Sequence, residues 1–434
     1  MSPNRGRSQI KNAAHSSPAP REALAKRYTT VRRMSEALCK TLTPDDYGLQ
    51  AMPDVSPARW HLAHTTWFFE TFLLKHFLPH YRPFHPQFEH LFNSYYEQVG
   101  QPFPRAQRGL ISRPTTEEIF RYRAQVDEAM AILLASVEEA RWPEVVERVT
   151  LGCHHEEQHQ ELFLTDIKYN FSINPLRPAY RSDLPETDTG TTTSLAWIEQ
   201  PGGVQEIGHG GNGFSFDNET PRHRVLLATY ALGSRLITNG EFLEFIEAGG
   251  YQRPEYWLAD GWRAAREKSW QAPLYWDKAD AHWQVFSLAG MREMNEHEPV
   301  CHVSFYEADA YARWAGKRLP SEGEWEVIAS REALRGNLRE SGYLHPAPVT
   351  GEERPAQLYG DVWEWTRSPY APFPGYRPAA GALGEYNAKF MINQLVLRGG
   401  SCVTPADHVR ASYRNFFYPA DRWQFSGIRL ADDR

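Results

Sequence analysis

The spacing of hydrophobic residues divides the chain into two parts. Between residues 21 and 180, apolar side chains recur at three- and four-residue intervals, the period of an amphipathic helix. Beyond residue 191 the apolar runs are short and are interrupted by Gly and Pro. The first pattern predicts four long helices, and therefore a helical bundle, over residues 21–42, 58–78, 115–136 and 143–170.

Two of these helices have start signals in the sequence. A threonine cap followed by Glu117 and Glu118 precedes the third helix, and carboxylates suit the positive end of a helix dipole. Asp54 and Ser56 precede the second helix, where Pro57 is predicted to lie in the first turn. Between these two helices, residues 79–114 form a long connection rich in aromatic side chains, which is typical of a functional loop.

The second part of the chain predicts an irregular α+β domain. It combines short apolar segments at 224–230 and 395–398 with short helical stretches at 238–248 and 304–315. A polar segment rich in Thr separates it from the helical part. The predicted organisation is a disordered tail over 1–20, a bundle over 21–180, a linker over 181–194 and a second domain over 195–434.

Composition narrows the function classes. Acidic residues outnumber basic ones by 54 to 47, and without a basic stripe a nucleic-acid partner is not expected. No apolar run approaches the roughly 18 residues of a membrane span, and the N-terminus has no signal-peptide pattern, so we expect a cytoplasmic protein without a membrane partner. The four cysteines form no CxxC pair and are expected to be reduced thiols.

Three histidines at helical positions predict a metal site. His155 and His159 are four residues apart on the fourth helix, so both side chains project from one face. They share that face with Leu151 and Leu162, which places two imidazoles in the apolar core. His64, on the second helix, is the third candidate, and facing helices are where bundles build metal sites.

Alternatives remain open at this point. His61 could replace His64, and an inward histidine can also be a hydrogen-bonded core residue. A site of three imidazoles leaves coordination positions free and suits either Zn(II) or Fe(II). Cys153 points away from His155 and is a poor fourth ligand.

The motifs resemble two known domains. The Leu-Ala-His of the second helix and the HxxxH of the fourth resemble a DinB-like four-helix bundle. The second part resembles the formylglycine-generating, sulfatase-modifying fold, a C-type-lectin-like domain, in the segments 201–203, 219–225, 237–242, 299–304, 317–326, 360–366, 398–401 and 426–430. The fusion of these domains in this order is similar to the ergothioneine-biosynthetic sulfoxide synthases.

That resemblance implies an activity. Members of this family are iron(II) enzymes that use dioxygen to join a cysteine-type thiol to C2 of trimethylhistidine (hercynine) and to oxidise the sulfur. The family's iron ligands fall on His64, His155 and His159, and a glutamine that contacts the imidazole substrate falls on Gln158.

The resemblance also implies substrate-binding and tyrosine roles. Tyr95 and Tyr96 are the candidate proton donors beside the iron, although they could merely pack the long loop, and some members use a tyrosine near the position of Tyr370. The ring faces of Phe416 and Phe417 could hold the trimethylammonium group, or these residues could end a core strand.

Two arginines are expected to bind the sulfur donor, which could be cysteine with one carboxylate or γ-glutamylcysteine with two. Arg105 and Arg108 resemble an RxxR pair that binds the donor's carboxylate. Because the tyrosine pair and the phenylalanines depart from the actinobacterial pattern, free cysteine is favoured over γ-glutamylcysteine.

Three other functions compete with this one. A formylglycine-generating activity would need two cysteines near the Arg-Gly-Gly-Ser motif, where the chain has only Cys402. A metal-dependent thiol S-transferase and a non-catalytic binding module are the others. The sequence gives no oligomeric state.

Overall fold

A computed structural model describes residues 20–187, 190–211, 213–280, 282–351 and 354–434. The tail predicted over residues 1–20 therefore lies almost entirely outside the described residues. The first part of the chain is helical, and all four predicted long helices are present. Its helices are α1 Pro20–Leu38, α2 Ala58–Phe69, α3 Lys75–Phe77, α4 Phe88–Phe92, α5 Thr116–Ser136 and α6 Trp142–Ile173.

The ends of these helices follow local chemistry. Thr115 caps α5 in a capping box, because its side chain accepts from the Glu118 N–H while the Glu118 carboxylate accepts from the Thr115 N–H. The cap expected from Ser56 and Pro57 is wrong. Pro57 precedes the helix rather than lying in its first turn, and the Ser56 N–H donates to Asp166 of α6 at 2.8 Å.

The second helix contains a π-helical turn, Glu70–Leu74, between α2 and α3. Glu70 is buried in this turn, and its carboxylate accepts hydrogen bonds from the hydroxyls of Tyr81 (2.7 Å) and Tyr122 (2.8 Å) and from the Phe84 N–H (3.1 Å). Because Tyr81 and Phe84 begin the long connection, this one carboxylate ties that loop to the bundle.

A charged cluster lies inside the bundle. Glu156 of α6 is fully buried and bonds to Arg32 (2.9 Å), Arg123 (3.0 Å) and the Ser35 hydroxyl (2.6 Å). Burial alone would raise the pKa of Glu156, but the two guanidinium groups and the Ser35 hydroxyl outweigh it and lower the pKa to about 2. The cluster joins α1, α5 and α6.

The second part is the expected α+β domain, with small sheets and short helices. Its sheets have the strand orders β1-β4-β12, β10-β9-β8-β11, β2-β3 and β5-β6-β7. The strands are β1 Trp197–Gln200, β2 Gly203–Ile207, β3 His223–Leu227, β4 Tyr230–Gly233, β5 Trp276–Ala279, β6 His282–Ser287, β7 Gly290–Glu293, β8 Trp363–Pro369, β9 Leu395–Arg398, β10 Asn415–Phe417, β11 Ser426–Gly427 and β12 Ala431–Asp433.

Two of the helices here were predicted and two were not. The helices α7 Asn239–Glu247 and α9 Phe305–Trp314 match the predicted stretches, whereas α8 Ala259–Glu267 and α10 Glu322–Ala329 were missed. The apolar segment 224–230 spans most of β3 and the first residue of β4, and 395–398 is β9. No described helix is long and apolar enough to cross a membrane.

Helix α6 also holds the second domain. The buried carboxylate of Glu161 accepts hydrogen bonds from the Trp363 indole (2.6 Å) and from the hydroxyls of Thr404 (2.8 Å) and Ser401 (3.1 Å). Thr165, one turn further along, donates to Gln424 at 3.1 Å. One face of α6 is therefore paired with the first residue of β8 and with the loops that follow β9 and β10.

We expect Glu156→Gln to destabilise the protein by about 3–5 kcal/mol, because it leaves two buried guanidinium groups without their carboxylate. The free energy of unfolding, measured by urea denaturation, checks this. Glu144→Gln is the matched control: it breaks an exposed pair with Arg148 on the same helix and should cost less than about 1 kcal/mol. Because the folded pKa of Glu156 is depressed, its contribution should be present above about pH 4.5 and be lost as the pH falls towards about 2. Equal losses of unfolding free energy in the two variants would contradict the conclusion that Glu156 is the buried partner of two arginines.

Candidate metal centre and adjoining cavity

Three histidines converge where α2 crosses α6. One ligand nitrogen each from His64, His155 and His159 lies within 4.8 Å of the other two, and Nε2 of His64 is 3.1 Å from Nε2 of His155. His64 and His155 are buried and His159 is partly exposed towards the cavity. The structure thus brings together the three predicted ligands.

The orientation of His64 is fixed by its neighbours. Its ring is stacked between Trp60, at a centroid distance of 4.6 Å, and Trp67, at 5.5 Å. Its Nδ1–H donates to the carbonyl oxygen of Phe92 at 2.6 Å, so the lone pair is on Nε2, which faces the other histidines. A backbone acceptor behind a metal-binding imidazole is the usual way of fixing its tautomer.

The protonation of the group suits a metal ion. Burial lowers the pKa of His155 to about 3, and burial together with the neighbouring imidazoles lowers the pKa of His64 and His159 well below the usual histidine value. The rings are therefore neutral, as ligands must be. Nδ1 of His155 has no hydrogen-bond partner among the described residues. Three neutral nitrogen donors fit Zn(II) or Fe(II) and leave coordination positions open.

His61 and Cys153 stand beside this group. Nδ1 of His61 is 2.9 Å from Nδ1 of His159, and Nε2 of His61 is 3.0 Å from Asp166. His61 is therefore placed to orient His159, with Asp166 behind it. Cys153 is buried and free, and burial raises the pKa of its thiol.

The histidines open into a cavity of about 460 Å³ between the two parts of the chain. The bundle contributes one wall and the loops of the second domain contribute the other. Of the predicted site residues, all but His64 and Tyr96 line it. The lining is rich in rings and in polar groups, and it includes Asp54, Trp60, Tyr95, Arg105, Arg108, Gln158, Phe216, Tyr386, Phe390, Tyr413, Phe416, Phe417, Asp421 and Trp423.

Arg108 is a buried cation without a carboxylate partner among the described ion pairs. It is 4% exposed, lies 3.3 Å from the centre of the Trp60 ring and donates to the Ser56 hydroxyl at 2.9 Å. Its Nε–H has no hydrogen-bond partner among the described residues. Burial and the neighbouring Arg105 lower the pKa of Arg108. A buried guanidinium that is only partly paired favours the binding of an anion.

Two carboxylates share the cavity with these arginines, and sequence reasoning missed them as site residues. Asp421 lies near Asp54 and Arg105, and burial raises its pKa to about 7. The Arg105 guanidinium donates to the carbonyl oxygen of Asp54. The cavity therefore offers groups for a carboxylate and for an ammonium ion.

The predicted tyrosines have different places. Tyr95 lines the cavity, while Tyr96 is fully buried behind it, with the two rings stacked at 4.6 Å. Tyr370, the other candidate, packs against Phe416 at 4.0 Å and bonds to Asn218, and it does not line the cavity. Burial raises the pKa of Tyr95 and Tyr96, so both hydroxyls keep their protons.

A further tyrosine, Tyr386, was missed by sequence analysis. Its ring lies 5.6 Å from that of His155, and its hydroxyl donates to the side-chain oxygen of Gln158. The Gln158 amide nitrogen donates to the Tyr413 hydroxyl at 2.7 Å. Tyr386 lies near a short 3₁₀ turn with no periodic pattern, so no local signal marks it; the one general signal is that 13% of the residues of the chain are aromatic.

The geometry does not support a formylglycine-generating activity, the alternative function that would use two cysteines. Cys301 and Cys402 are buried and free, and neither lines the cavity. Burial raises the pKa of both thiols, which disfavours the thiolate form that reacts and binds metals.

Comparison with known proteins agrees with this architecture. Residues 27–162 match the DinB superfamily, and residues 182–354 with 355–434 match the sulfatase-modifying factor enzyme 1-like domain. Hercynine oxygenase of Mycolicibacterium thermoresistibile is 31% identical over 95% of this chain and 96% of its own length. The formylglycine-generating enzyme of Streptomyces coelicolor is 29% identical over 54% of this chain, and ergothioneine biosynthesis protein 1 of Schizosaccharomyces pombe is 24% identical over 50%.

The fold and site define a DinB-like helical bundle with a candidate metal site, fused to a C-type-lectin-like domain of the sulfatase-modifying type. The alignment with the hercynine oxygenase of Mycolicibacterium thermoresistibile spans both of these regions of the chain. The chain belongs to the ergothioneine sulfoxide synthase family, to which the hercynine oxygenases belong.

Removal of one ligand should abolish stoichiometric metal binding. Mutation of the residues that hydrogen-bond to metal ligands typically weakens metal binding by roughly 10–100-fold. We expect His155→Ala to weaken Fe(II) binding by more than this, because it removes a predicted ligand itself. Metal content after anaerobic reconstitution, followed by titration, measures this. His61→Ala is the control and should retain one ion per chain with weaker affinity, because its ring only orients His159. The reverse order of effects would place the metal on His61.

Proposed function

We propose that this protein is a non-haem iron(II), dioxygen-dependent sulfoxide synthase that joins the sulfur of cysteine to C2 of hercynine. The S–H and C2–H bonds are replaced by a C–S bond, one oxygen atom becomes the sulfoxide and the other leaves as water. The main support is the convergence of three neutral imidazoles at a cavity that also holds a buried, partly paired guanidinium and many ring faces.

Iron is proposed because of the chemistry it supplies. Bound Fe(II) offers open coordination positions and a redox couple towards dioxygen, whereas zinc has no redox chemistry. The residues fit it as three nitrogen ligands, His64, His155 and His159, with His61 and the Phe92 carbonyl behind them.

Hercynine is proposed to bind between the histidines and strand β10. Its imidazole would meet the amide of Gln158, which lines the cavity next to His159. Its trimethylammonium group would meet the aromatic rings of Phe416, Phe417 and Trp423, since ring faces attract such cations without needing a carboxylate. The edge strand β10 pairs with β9, which fixes both phenylalanines in place.

Cysteine is proposed to bind at the arginine end of the cavity. Arg108 and Arg105 would take its carboxylate, and Asp421 and Asp54 would take its ammonium group. One cluster with both charges suits the two charged groups of a free α-amino acid. This arrangement favours cysteine over γ-glutamylcysteine, which has a second carboxylate.

Tyr95 and Tyr96 are proposed as the source of the proton needed during oxygen reduction. Their raised pKa keeps both protonated at neutral pH, and their stacked rings form a pair leading from the cavity into the core. The surrounding aromatic side chains limit the access of water to the reacting groups.

The test is turnover by the iron-loaded protein. After anaerobic reconstitution with Fe(II), air-saturated buffer, hercynine and either cysteine or γ-glutamylcysteine are added, and oxygen uptake and product mass are recorded. We expect one dioxygen consumed per sulfoxide, with cysteine preferred; the His155→Ala variant is the inactive control. A thiol adduct formed with zinc and without oxygen would instead indicate an S-transferase. Binding of hercynine with no reaction would indicate a binding module.

The donor site can be tested separately. We expect Arg108→Gln to raise KM for cysteine by about 10–100-fold, the cost of losing a charged hydrogen bond, while Kd for hercynine stays unchanged. Arg108→Lys should recover only part of the loss, because lysine lacks the forked geometry. Steady-state kinetics and calorimetry measure the two constants. An unchanged KM for cysteine would remove Arg108 from the donor site.

A further inference from the structure

A second, much smaller cavity lies between α1, α2 and α6, beside the histidine group. Its volume is about 10 Å³, which is room for one small molecule. His61 and His159 line both this cavity and the large one, so their rings lie between the two spaces. His159 also offers a nitrogen to the candidate metal centre. A molecule in the small cavity is therefore one imidazole ring away from that centre.

Half of the residues that line the small cavity are apolar in character. These residues are Leu38, Cys39, Ala58, Leu62 and Phe163. The cysteine belongs with the others because a buried free thiol behaves as a small hydrophobic group. Four of the five are buried, whereas Leu38, the last residue of α1, is partly exposed. A small molecule can therefore enter from the side of α1 without crossing the large cavity.

Two polar residues of the lining, Ser35 and Gln160, have their hydrogen bonds made by other groups. The Ser35 hydroxyl donates to Glu156 at 2.6 Å and accepts from the Gln160 amide nitrogen at 3.0 Å. That nitrogen also donates to the Val31 carbonyl oxygen at 2.9 Å, and the side-chain oxygen of Gln160 accepts from Arg339. Neither side chain depends on a molecule in the cavity for its partners.

The remaining polar residues of the lining are paired as well. The Thr65 hydroxyl accepts from Arg123 at 3.3 Å and donates to a carbonyl oxygen of its own helix at 3.3 Å. Nδ1 of His61 is 2.9 Å from Nδ1 of His159, and its Nε2 is 3.0 Å from Asp166. A buried water molecule typically needs about two to four polar partners, and few are free here. The cavity therefore favours a small apolar molecule over water.

We propose that this small cavity is a dioxygen-binding site that supplies the metal centre from the side of α1. The inference rests on the proposed dioxygen-dependent function. Dioxygen is small and apolar, so a cavity that favours an apolar molecule over water concentrates it relative to the solvent. Hercynine and cysteine are charged and are too large for a space of about 10 Å³. The site therefore selects dioxygen among the three proposed substrates.

A separate supply of dioxygen matters once the two organic substrates are bound. Both are proposed to lie in the large cavity, among aromatic side chains that also limit the access of water. Dioxygen that arrived through the large cavity would have to pass both of them. Entry beside His159 instead allows dioxygen to reach the metal centre while the thiol and the imidazole stay in place.

The first experiment looks for dioxygen itself and needs no turnover. Crystals of the zinc-loaded protein are pressurised with oxygen gas and then frozen, because zinc has no redox chemistry and leaves dioxygen unreacted. We expect electron density for a diatomic molecule between Ala58, Leu62 and Phe163, and its loss in Ala58→Leu, whose larger side chain fills the space. No dioxygen at this place, or a water molecule that keeps the place under oxygen pressure, overturns the proposal.

The second experiment separates the delivery of dioxygen from the chemistry. We expect Ala58→Leu to lower kcat/KM for dioxygen by about tenfold, the scale on which small changes in an apolar pocket act. The kcat at saturating oxygen, the Kd for hercynine and the metal content should stay unchanged. Ala129→Leu is the matched control, because Ala129 is a buried alanine of α5 that lines neither cavity. An equal loss of kcat/KM in both variants, or no loss in folded Ala58→Leu, overturns the proposal.

A further variant and the crystals keep this inference distinct from the proposed function. If Ala58→Leu fails to fold, Cys39→Leu fills the same cavity from the end of α1 and should lower kcat/KM for dioxygen in the same direction. An unchanged value in folded Cys39→Leu overturns the proposal. Absence of sulfoxide formation by the wild-type protein contradicts the proposed function. Normal turnover without dioxygen in the small cavity overturns this inference alone.

Discussion

The need to pair every polar group on a buried helix shapes this molecule. Helix α6 has carboxylates on several faces, and each is satisfied by a different neighbour: Glu156 by arginines of the bundle, Glu157 by Arg27, and Glu161 by donors of the second domain. His155 and His159 are left to face each other and the histidine of α2. Because buried polar groups without partners are costly, the remaining arrangement favours a cation among the three rings.

The cavity belongs to neither domain alone. The bundle provides the histidines, Gln158 and the arginine end, while the second domain provides Tyr386, Tyr413 and the aromatic strand β10. Glu161 holds the two halves in register, because its carboxylate accepts from the first residue of strand β8 and from the loop that follows β9. Sites at such junctions are common, and here the junction combines a candidate metal site on helices with walls made of loops.

The features that could be predicted from the sequence are those marked by hydrophobic periodicity or by a motif. The four long helices and the histidine triplet followed from spacing, and the resemblance pointed to Arg108, Tyr95 and β10. Tyr386 lies in an irregular segment, and only tertiary packing brings it near Gln158. The Ser56 cap was mispredicted because the helix starts one residue later, after Pro57, and the Ser56 hydroxyl accepts from a tertiary partner, Arg108. Local patterns contain no information about such distant partners.

The π-helical turn at Glu70–Leu74 changes the direction in which the side chains that follow it project from the helix. One extra residue in a turn rotates everything downstream by about 100° relative to a regular helix. The upstream end can therefore aim His64 at the α6 histidines while the downstream end presents Phe77 to Arg141 and Arg148. A single inserted residue thus allows the two ends of one helix to face two different neighbours. Deleting that residue would turn one end away from its neighbour, and would disturb either the histidine cluster or the packing at the end of the helix.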